Sequence, residues 1–243
     1  MTRSLALLVV GLLTACGPGP ALYTAQPATS ETVVDGEIGE WPAALRPVPS
    51  EAGLGIGLRR DGEDLVVAVV ASDERQARRL ALGGLTLWVD PEGGTGRALG
   101  LRYPAPPDLT PVEIRARVAA RRSGSSDDAP LRRRYQEATD QIEVTRGVVT
   151  QRAATDGRFG GLEAASTWDG RRLVVEMRVP LTVASGLLTE APTEAVGLGV
   201  ELLDVRRPAI PRGRRPTAGA GPAVVELPEA EVATVTRWLR LDW

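Results

Sequence analysis

The chain has 243 residues and contains no histidine, no lysine and no asparagine, with a single cysteine, Cys16. Without histidine, and with one thiol at most, histidine–thiolate zinc sites, Ser-His-Asp triads and histidine-ligated haem are excluded. Met177 is the one methionine beyond the first residue, and it alternates inward with its strand, so it offers haem no axial ligand. Without lysine there is no Schiff-base amine and no P-loop cation. One cysteine allows no intrachain disulfide. Every basic residue is arginine, a bias that a GC-rich genome produces. Aromatics are scarce, at 4 % of residues, so any aromatic placed on a polar sheet face stands out. The formal net charge of -2 gives no argument for nucleic acid as a partner. No nucleophile elbow or dinucleotide fingerprint is present. Carboxylates such as Glu40 and Glu176 exist, but spacing in sequence cannot place two across a cleft, and the expectation is a protein that is not an enzyme.

What is present begins with an address. Arg3 followed by the apolar run Leu5 to Leu13 has the length of a signal-peptide core and is too short to span a bilayer. It ends in Leu13-Thr14-Ala15-Cys16, the pattern of a bacterial lipobox. The expected arrangement is a lipoprotein signal peptide over 1–15, lipidation of Cys16, a Pro/Gly-rich flexible tether over 16–32 and one domain over 33–243. The localisation that follows is the cell envelope, lipid-anchored at the outer membrane's periplasmic face or at the cell surface. The alternative is an ordinary signal peptide with a chance cysteine.

The remainder reads as short strands separated by turns. Leu54 to Arg60 and Leu65 to Ala71 flank Asp61-Gly62-Glu63-Asp64, a hairpin signal. The second strand, LVVAVVA, is apolar on both faces and so belongs in the middle of a packed sheet. Val33-Val34 reads as a short strand, and Trp41 as a core aromatic plugging one end. Asp73 to Leu82 reads as a turn or two of helix. Ile142 to Gln151, Ala164 to Trp168, Arg172 to Val179 and Val196 to Leu203 read as strands. Over 110–122 a capping box at Thr110 competes with strand-like alternation, and helix is preferred. Arg-, Pro- and Gly-rich 204–223 reads as a long loop. The tail, 229–243, has helix-like charge order but β-favouring residues, and is read as a strand packing Leu239, Leu241 and Trp243. About eight to ten short strands with few helices predict an all-β antiparallel β-sandwich, jelly-roll or immunoglobulin-like, with a short helical insertion.

The most informative stretch is GLTLWVDPEGGTGRALGLRYP, Gly84 to Pro104. It reads as a hairpin with Leu85, Leu87 and Val89 on one face and Thr86, Trp88 and Asp90 on the other. Alternation places Trp88, Arg102, Glu176, Arg178 and Glu201 away from the core, with Tyr103 and Trp168 at the rim. An aromatic plate among charged groups is what sugar recognition uses. The alternative is a Trp88 covered by the 104–140 segment, with the charges forming cross-strand pairs. Asp73, Asp90 and Glu92 are hard oxygen donors near turns and could suit calcium. Solvated turn carboxylates are the alternative.

Three pieces in this order, VDGEIGEWP, LVVAVVASDE leading into GLTLWVDPEGG, and DGRRLVVEMRVPL followed by VGLGVEL, resemble the family 9 carbohydrate-binding-module-like domain, a β-sandwich related to DOMON domains. The resemblance covers Val33 to about Asp204. It implies a sandwich fold, a glycan ligand held by tryptophans and sheet-face polar groups, and in some members structural calcium. Low aromatic content and the absence of asparagine depart from the sugar-binding pattern. The partners expected are therefore a glycan or an envelope protein, and the membrane through the lipid, for a chain that is a monomer.

Overall fold

A strand that is apolar on both sides must be covered on both sides, and Asp64–Ala71 organises the fold on that principle. The computed structural model describes residues 20–28, 32–41, 45–105, 129–169, 171–206 and 231–243. In chain order the strands are β1 (Ala21–Thr24), β2 (Gln26–Pro27), β3 (Arg46–Pro47), β4 (Leu54–Asp61), β5 (Asp64–Ala71), β6 (Leu85–Asp90), β7 (Leu99–Tyr103), β8 (Gln141–Arg146), β9 (Val149–Ala154), β10 (Glu163–Trp168), β11 (Leu173–Pro180), β12 (Ala195–Arg206) and β13 (Glu231–Asp242). Helix α1 (Glu74–Gly83) joins β5 to β6, and α2 (Ala129–Glu137) precedes β8.

The strands form two sheets packed as a sandwich. The first has seven strands in the order β1-β13-β12-β6-β7-β8-β9. The second has six: β10-β11-β5-β4-β2 in a row, with β3 also pairing β4. Pairing is antiparallel except at two edges, where β1 runs parallel to β13 and β2 parallel to β4. The expected β-sandwich is present, and these two parallel edge pairings make both of its sheets mixed. They correct the flexible tether: residues 21–27, read as part of it, add one short strand to each sheet.

The inner faces follow the alternation in the sequence. Leu85, Leu87 and Val89 of β6 and Val196, Leu198, Val200 and Leu202 of β12 meet Val67 and Val69 of β5 and Leu173, Val175, Met177 and Val179 of β11, all at most 1 % exposed. Each such side chain contributes about 1.5–3 kcal/mol by leaving water. The tail is the expected strand, with Leu239 and Leu241 fully buried and Trp243 packed against the core. Asp73 caps α1 by accepting from the Gln76 amide at 2.9 Å, which makes 74–83 a helix rather than a loop.

The outer side of β5 is covered differently from the expectation. Val66 and Ala68 lie under Trp41, with Val34, Ile38 and Leu45 around them. Trp41 is buried, as expected, but on the outer face of the second sheet rather than at an end of the sandwich. Val33-Val34 makes no strand; the segment 32–41 crosses the sheet as turns. Gly36 has φ +78°, and a β-carbon there would meet the Ser166 backbone at 2.9 Å, so only glycine fits the crossing.

Ile142 to Gln151 is two strands and not one. The chain reverses at Gly147, φ +57°, between β8 and β9. Glycine's freedom at positive φ overrides the apparently continuous β pattern. The expected helix over 110–122, and the long loop beyond 206, lie outside the described residues.

Candidate functional site

On the outer face of the seven-stranded sheet, register brings one row of residues into line across six strands. Trp238 of β13 is opposite Gly199 of β12, which is opposite Trp88 of β6. Trp88 is opposite Gly100 of β7, which is opposite Thr145 of β8 and then Thr150 of β9. The glycines let the rings lie down. A β-carbon on Gly100 would come within 2.6 Å of Trp88 Cζ3, and one on Gly199 within 3.0 Å of Trp238 Cη2. Each indole therefore rests flat on the backbone of the neighbouring strand, and both are only partly buried.

The next outward row is polar throughout: Thr236, Glu201, Thr86, Arg102, Glu143 and Arg152. Glu201 Oε2 accepts from Trp88 Nε1 at 3.1 Å, from Arg97 at 2.7 Å and from Thr236 Oγ1 at 2.8 Å. Among the described residues nothing donates to its Oε1. Arg97 comes from the β6–β7 loop and stacks on the Trp88 ring, 4.8 Å from its centroid, with half of its side chain exposed. Glu143 takes Arg102 at 3.1 Å on one oxygen and Arg152 at 3.1 Å on the other. The β6–β7 loop is tied down by Asp90, which accepts from the Glu92 and Gly96 amides.

Of the residues read from sequence, Trp88, Arg102 and Glu201 share this face. Glu176 and Arg178 do not. Alternation pointed them away from the core correctly, but β11 belongs to the other sheet, so they sit on the opposite side of the sandwich. Glu176 is fully buried beneath 32–41 and accepts from the Asp35 amide at 3.0 Å, the Gly36 amide at 2.7 Å and the Trp41 indole N–H. Burial pushes its carboxyl above the ordinary range, and the three donors pull it back only in part. Arg178 pairs with Asp61 at 2.9 Å, Asp64 at 3.2 Å and Glu163 at 3.2 Å, and donates to the Thr32 carbonyl. The hydrogen bond from Arg178 to Asp61 holds the Asp61 carboxyl below its usual value. Both residues fasten the covering segment to the sheet.

Tyr103 neighbours Arg102 in sequence and so points the other way, into the core. Its hydroxyl donates to the Thr139 carbonyl at 3.0 Å and accepts from Ser166 at 3.2 Å. Ser166 in turn accepts from Tyr135 at 2.8 Å, and burial pushes the Tyr135 phenol up to about 12. Trp168, at the end of β10, packs edge-on against Tyr135 with ring centroids 5.4 Å apart. This polar chain and aromatic pair join α2 to both sheets and lie away from the outer-face row.

Asp73, Asp90 and Glu92 do not converge. Asp73 caps α1, Asp90 braces its loop and Glu92 is exposed. Among the described residues no three Asp, Glu, His or Cys side chains gather as a metal site would require. Cys16 lies outside the described residues, and among those described no helix is long and apolar enough to cross a membrane.

Sequence reading missed Trp238, Arg97, Thr236, Glu143, Arg152 and the glycine floor. The signal for Trp238 was available: with Leu239 and Leu241 inward, Trp238 must face outward. The glycines at 100, 197 and 199, all at outward positions of strands, marked a place where something approaches the backbone closely. Compared with family models, curated proteins and solved structures, the chain matches none.

Proposed function

We propose that this protein is a non-catalytic carbohydrate-binding β-sandwich, held at the cell envelope through a lipid on Cys16. The observation that carries the reading is the pair of partly exposed indoles, Trp88 and Trp238, lying flat on glycines beside a polar row. Flat aromatic surface takes the C–H face of a sugar ring, and the adjacent carboxylates and guanidinium groups take its hydroxyls. Glu201 and Glu143 are three strands apart, about 14 Å, wider than the carboxylate pair of a glycoside hydrolase, which favours binding over cleavage. The motif order resembling family 9 modules supports the same ligand class.

The test is affinity electrophoresis of the full chain in gels containing soluble polysaccharides, with Trp88→Ala alongside. Retardation by at least one polysaccharide, lost in the variant, is expected. No retardation by any of them, or retardation indifferent to the substitution, overturns the reading. For the anchor, incorporation of radiolabelled palmitate that disappears in Cys16→Ser is expected; unchanged partition of that variant with membranes overturns it.

A second reading, an assembly lipoprotein that contacts other envelope proteins, is favoured by one feature. The β8–β9 hairpin exposes Val148 completely and Val149 by 61 % at the open edge of the larger sheet. Its test is crosslinking to a specific envelope partner, lost on Val148→Asp.

A further inference from the structure

Among the described residues, three of the four outermost strands are blunted as edges. β1 has four residues, β2 has two and ends in Pro27, and the segment 32–41 passes β10 with Gly36 against the Ser166 backbone. β9 is not blunted. It has six residues, VTQRAA, with no proline or glycine, and its single charge, Arg152, lies on the outer face opposite Glu143 rather than on the inner one. Gly147, at positive φ, opens the two-residue turn Gly147-Val148, so the flanking pair Arg146 and Val149 exchange backbone hydrogen bonds. Bonding alternates from there. Val149, Gln151 and Ala153 turn their N–H and C=O groups to β8, and Thr150, Arg152 and Ala154 turn theirs to the open side. Among the described residues no backbone group bonds them there.

The two ends of this edge differ. At the hairpin end Val148 is fully exposed and Val149 mostly so. At the other end Ala153, Ala154, Asp140 and Asp156 line a cleft of about 410 Å³. An antiparallel two-fold brings each end of the edge to the opposite end of a second copy. The open-side groups must then meet one another, which leaves two central registers. With Arg152 facing its own copy, like charges stand side by side. With Gln151 facing its own copy, Arg152 lies beside Thr150, Val149 beside Ala153, and Val148 beside Ala154 at the cleft. We propose that β9 pairs with β9 of a second copy in this latter register, joining two seven-stranded sheets edge to edge. The occupant is a second copy because the edge carries both halves of the contact, an uncovered apolar tip and a cleft where the pairing sets such a tip. Each Thr150 exchanges backbone hydrogen bonds with Arg152 of the other copy. A six-residue edge and two valines bury an area at the low end for specific interfaces, so the dimer is weak and exchanges readily. The chain is then a reversible dimer rather than the monomer expected from sequence. This pairing is independent of the carbohydrate reading, and it gives the β8–β9 hairpin a copy of this chain where the second reading gives it a foreign protein.

The experiment is sedimentation velocity of the full-length chain in density-matched detergent across the micromolar range, with disulfide trapping alongside. A monomer–dimer equilibrium is expected. Val148→Asp puts a carboxylate beside Asp140 and Asp156 of the second copy and should weaken the dimer about tenfold or more. Val148 is fully exposed, so the circular dichroism and urea midpoint of that variant should stay those of the parent. Directly opposite residues of a non-hydrogen-bonded pair have Cα atoms about 4.5 Å apart, within disulfide reach, so Gln151→Cys should form a covalent dimer under mild oxidation. Thr150→Cys, offset by two residues from its copy, should form far less, and the parent, whose own thiol is Cys16, gives the background. A chain that stays monomeric throughout that range, a dimer indifferent to Val148→Asp, or trapping of Gln151→Cys no greater than that of Thr150→Cys overturns the proposal. A monomer that crosslinks to another envelope protein, with loss on Val148→Asp, also overturns it and leaves the second reading standing.

Discussion

Replacing Glu176 should unfasten the segment 32–41 from the second sheet. Its carboxylate is fully buried and accepts from three donors: the amides of Asp35 and Gly36 and the indole of Trp41. In Glu176→Ala all three lose their partner in a place water does not reach freely. Each buried donor left unpaired costs about 1–3 kcal/mol, and these three share one acceptor group, so the losses do not simply add. Removing the cost of burying a charge gives some of this back. The net expectation is about 3 kcal/mol of destabilisation, which at a urea m-value of about 2–3 kcal/mol/M lowers the midpoint by about 1–1.5 M. Glu176→Gln keeps the shape but offers one acceptor oxygen instead of two, and should lose about half as much.

The pH dependence has a definite sign. The folded pKa is raised, so Glu176 takes up its proton in the folded protein while the unfolded chain is still ionised. Its contribution to stability is therefore largest below the unfolded value and is lost as pH rises through the folded one. Glutamine does not titrate, so the deficit of Glu176→Gln should shrink as pH rises from the unfolded value through the raised folded one. The assay is urea unfolding followed by circular dichroism at several pH values. A midpoint for Glu176→Ala within about 0.3 M of the parent would refute the fastening role. A glutamine deficit that grows with pH would refute the raised pKa.

Three further outcomes follow from the two outer faces. Gly100→Val places a side chain where the Trp88 ring lies, so it should cost about 1–3 kcal/mol in thermal unfolding and abolish polysaccharide retardation. Arg97→Ala removes an exposed stacking cation, so it should cost less than about 1 kcal/mol while shifting tryptophan emission to the red as Trp88 gains water. Arg178→Gln should flatten the acid limb of the stability profile. The depressed Asp61 carboxyl contributes stability above its unfolded pKa that is lost as pH falls through the folded one, and this contribution depends on Arg178. An acid limb unchanged in the variant would show that Asp61 is not responsible.

Alternation carried most of the fold, because a half-buried strand states its inner face directly in sequence. Leu85, Leu87 and Val89 were legible in this way, as was the doubly buried β5. What alternation cannot state is which sheet a strand joins. Glu176 and Glu201 look equivalent in sequence, each an outward carboxylate on a strong strand. They end on opposite sides of the molecule because β11 pairs with β5 and β12 with β6. The same limit hid the alignment of Trp88 with Trp238, which are 150 positions apart and meet only through the register of β12. Tyr103 was misplaced for a smaller reason: it follows Arg102, and two consecutive strand residues cannot share a face. The strands at 21–27 were invisible because they are only four and two residues long, lie within a Pro-, Gly- and Thr-containing stretch that reads as a linker, and add to the sheets as edges.

The two sheets carry the same local arrangement on their outer faces, and the comparison bears on what Trp88 does. Trp41 lies against Gly57, where a β-carbon would come within 3.0 Å of its Cζ3, donates its indole N–H to Glu176, and has the Arg59 guanidinium 4.6 Å from its centroid. Trp88 lies against Gly100, donates to Glu201, and has Arg97 at 4.8 Å. A glycine floor, a carboxylate and a stacked arginine are thus a way to lay an indole on a β-sheet, and by themselves they do not imply a ligand. The difference lies in where each indole comes from. Trp41 is brought by a covering segment, and its burial is the means by which that segment is held. Trp88 and Trp238 belong to the sheet itself, so laying them flat fastens no other element among the described residues; both stay partly exposed, with Arg97, hydrogen-bonded to Glu201 and Thr236, over Trp88. Two aromatic surfaces kept partly open at a fixed spacing cost hydrophobic burial that the sheet could otherwise have gained, and a ligand that covers both recovers it.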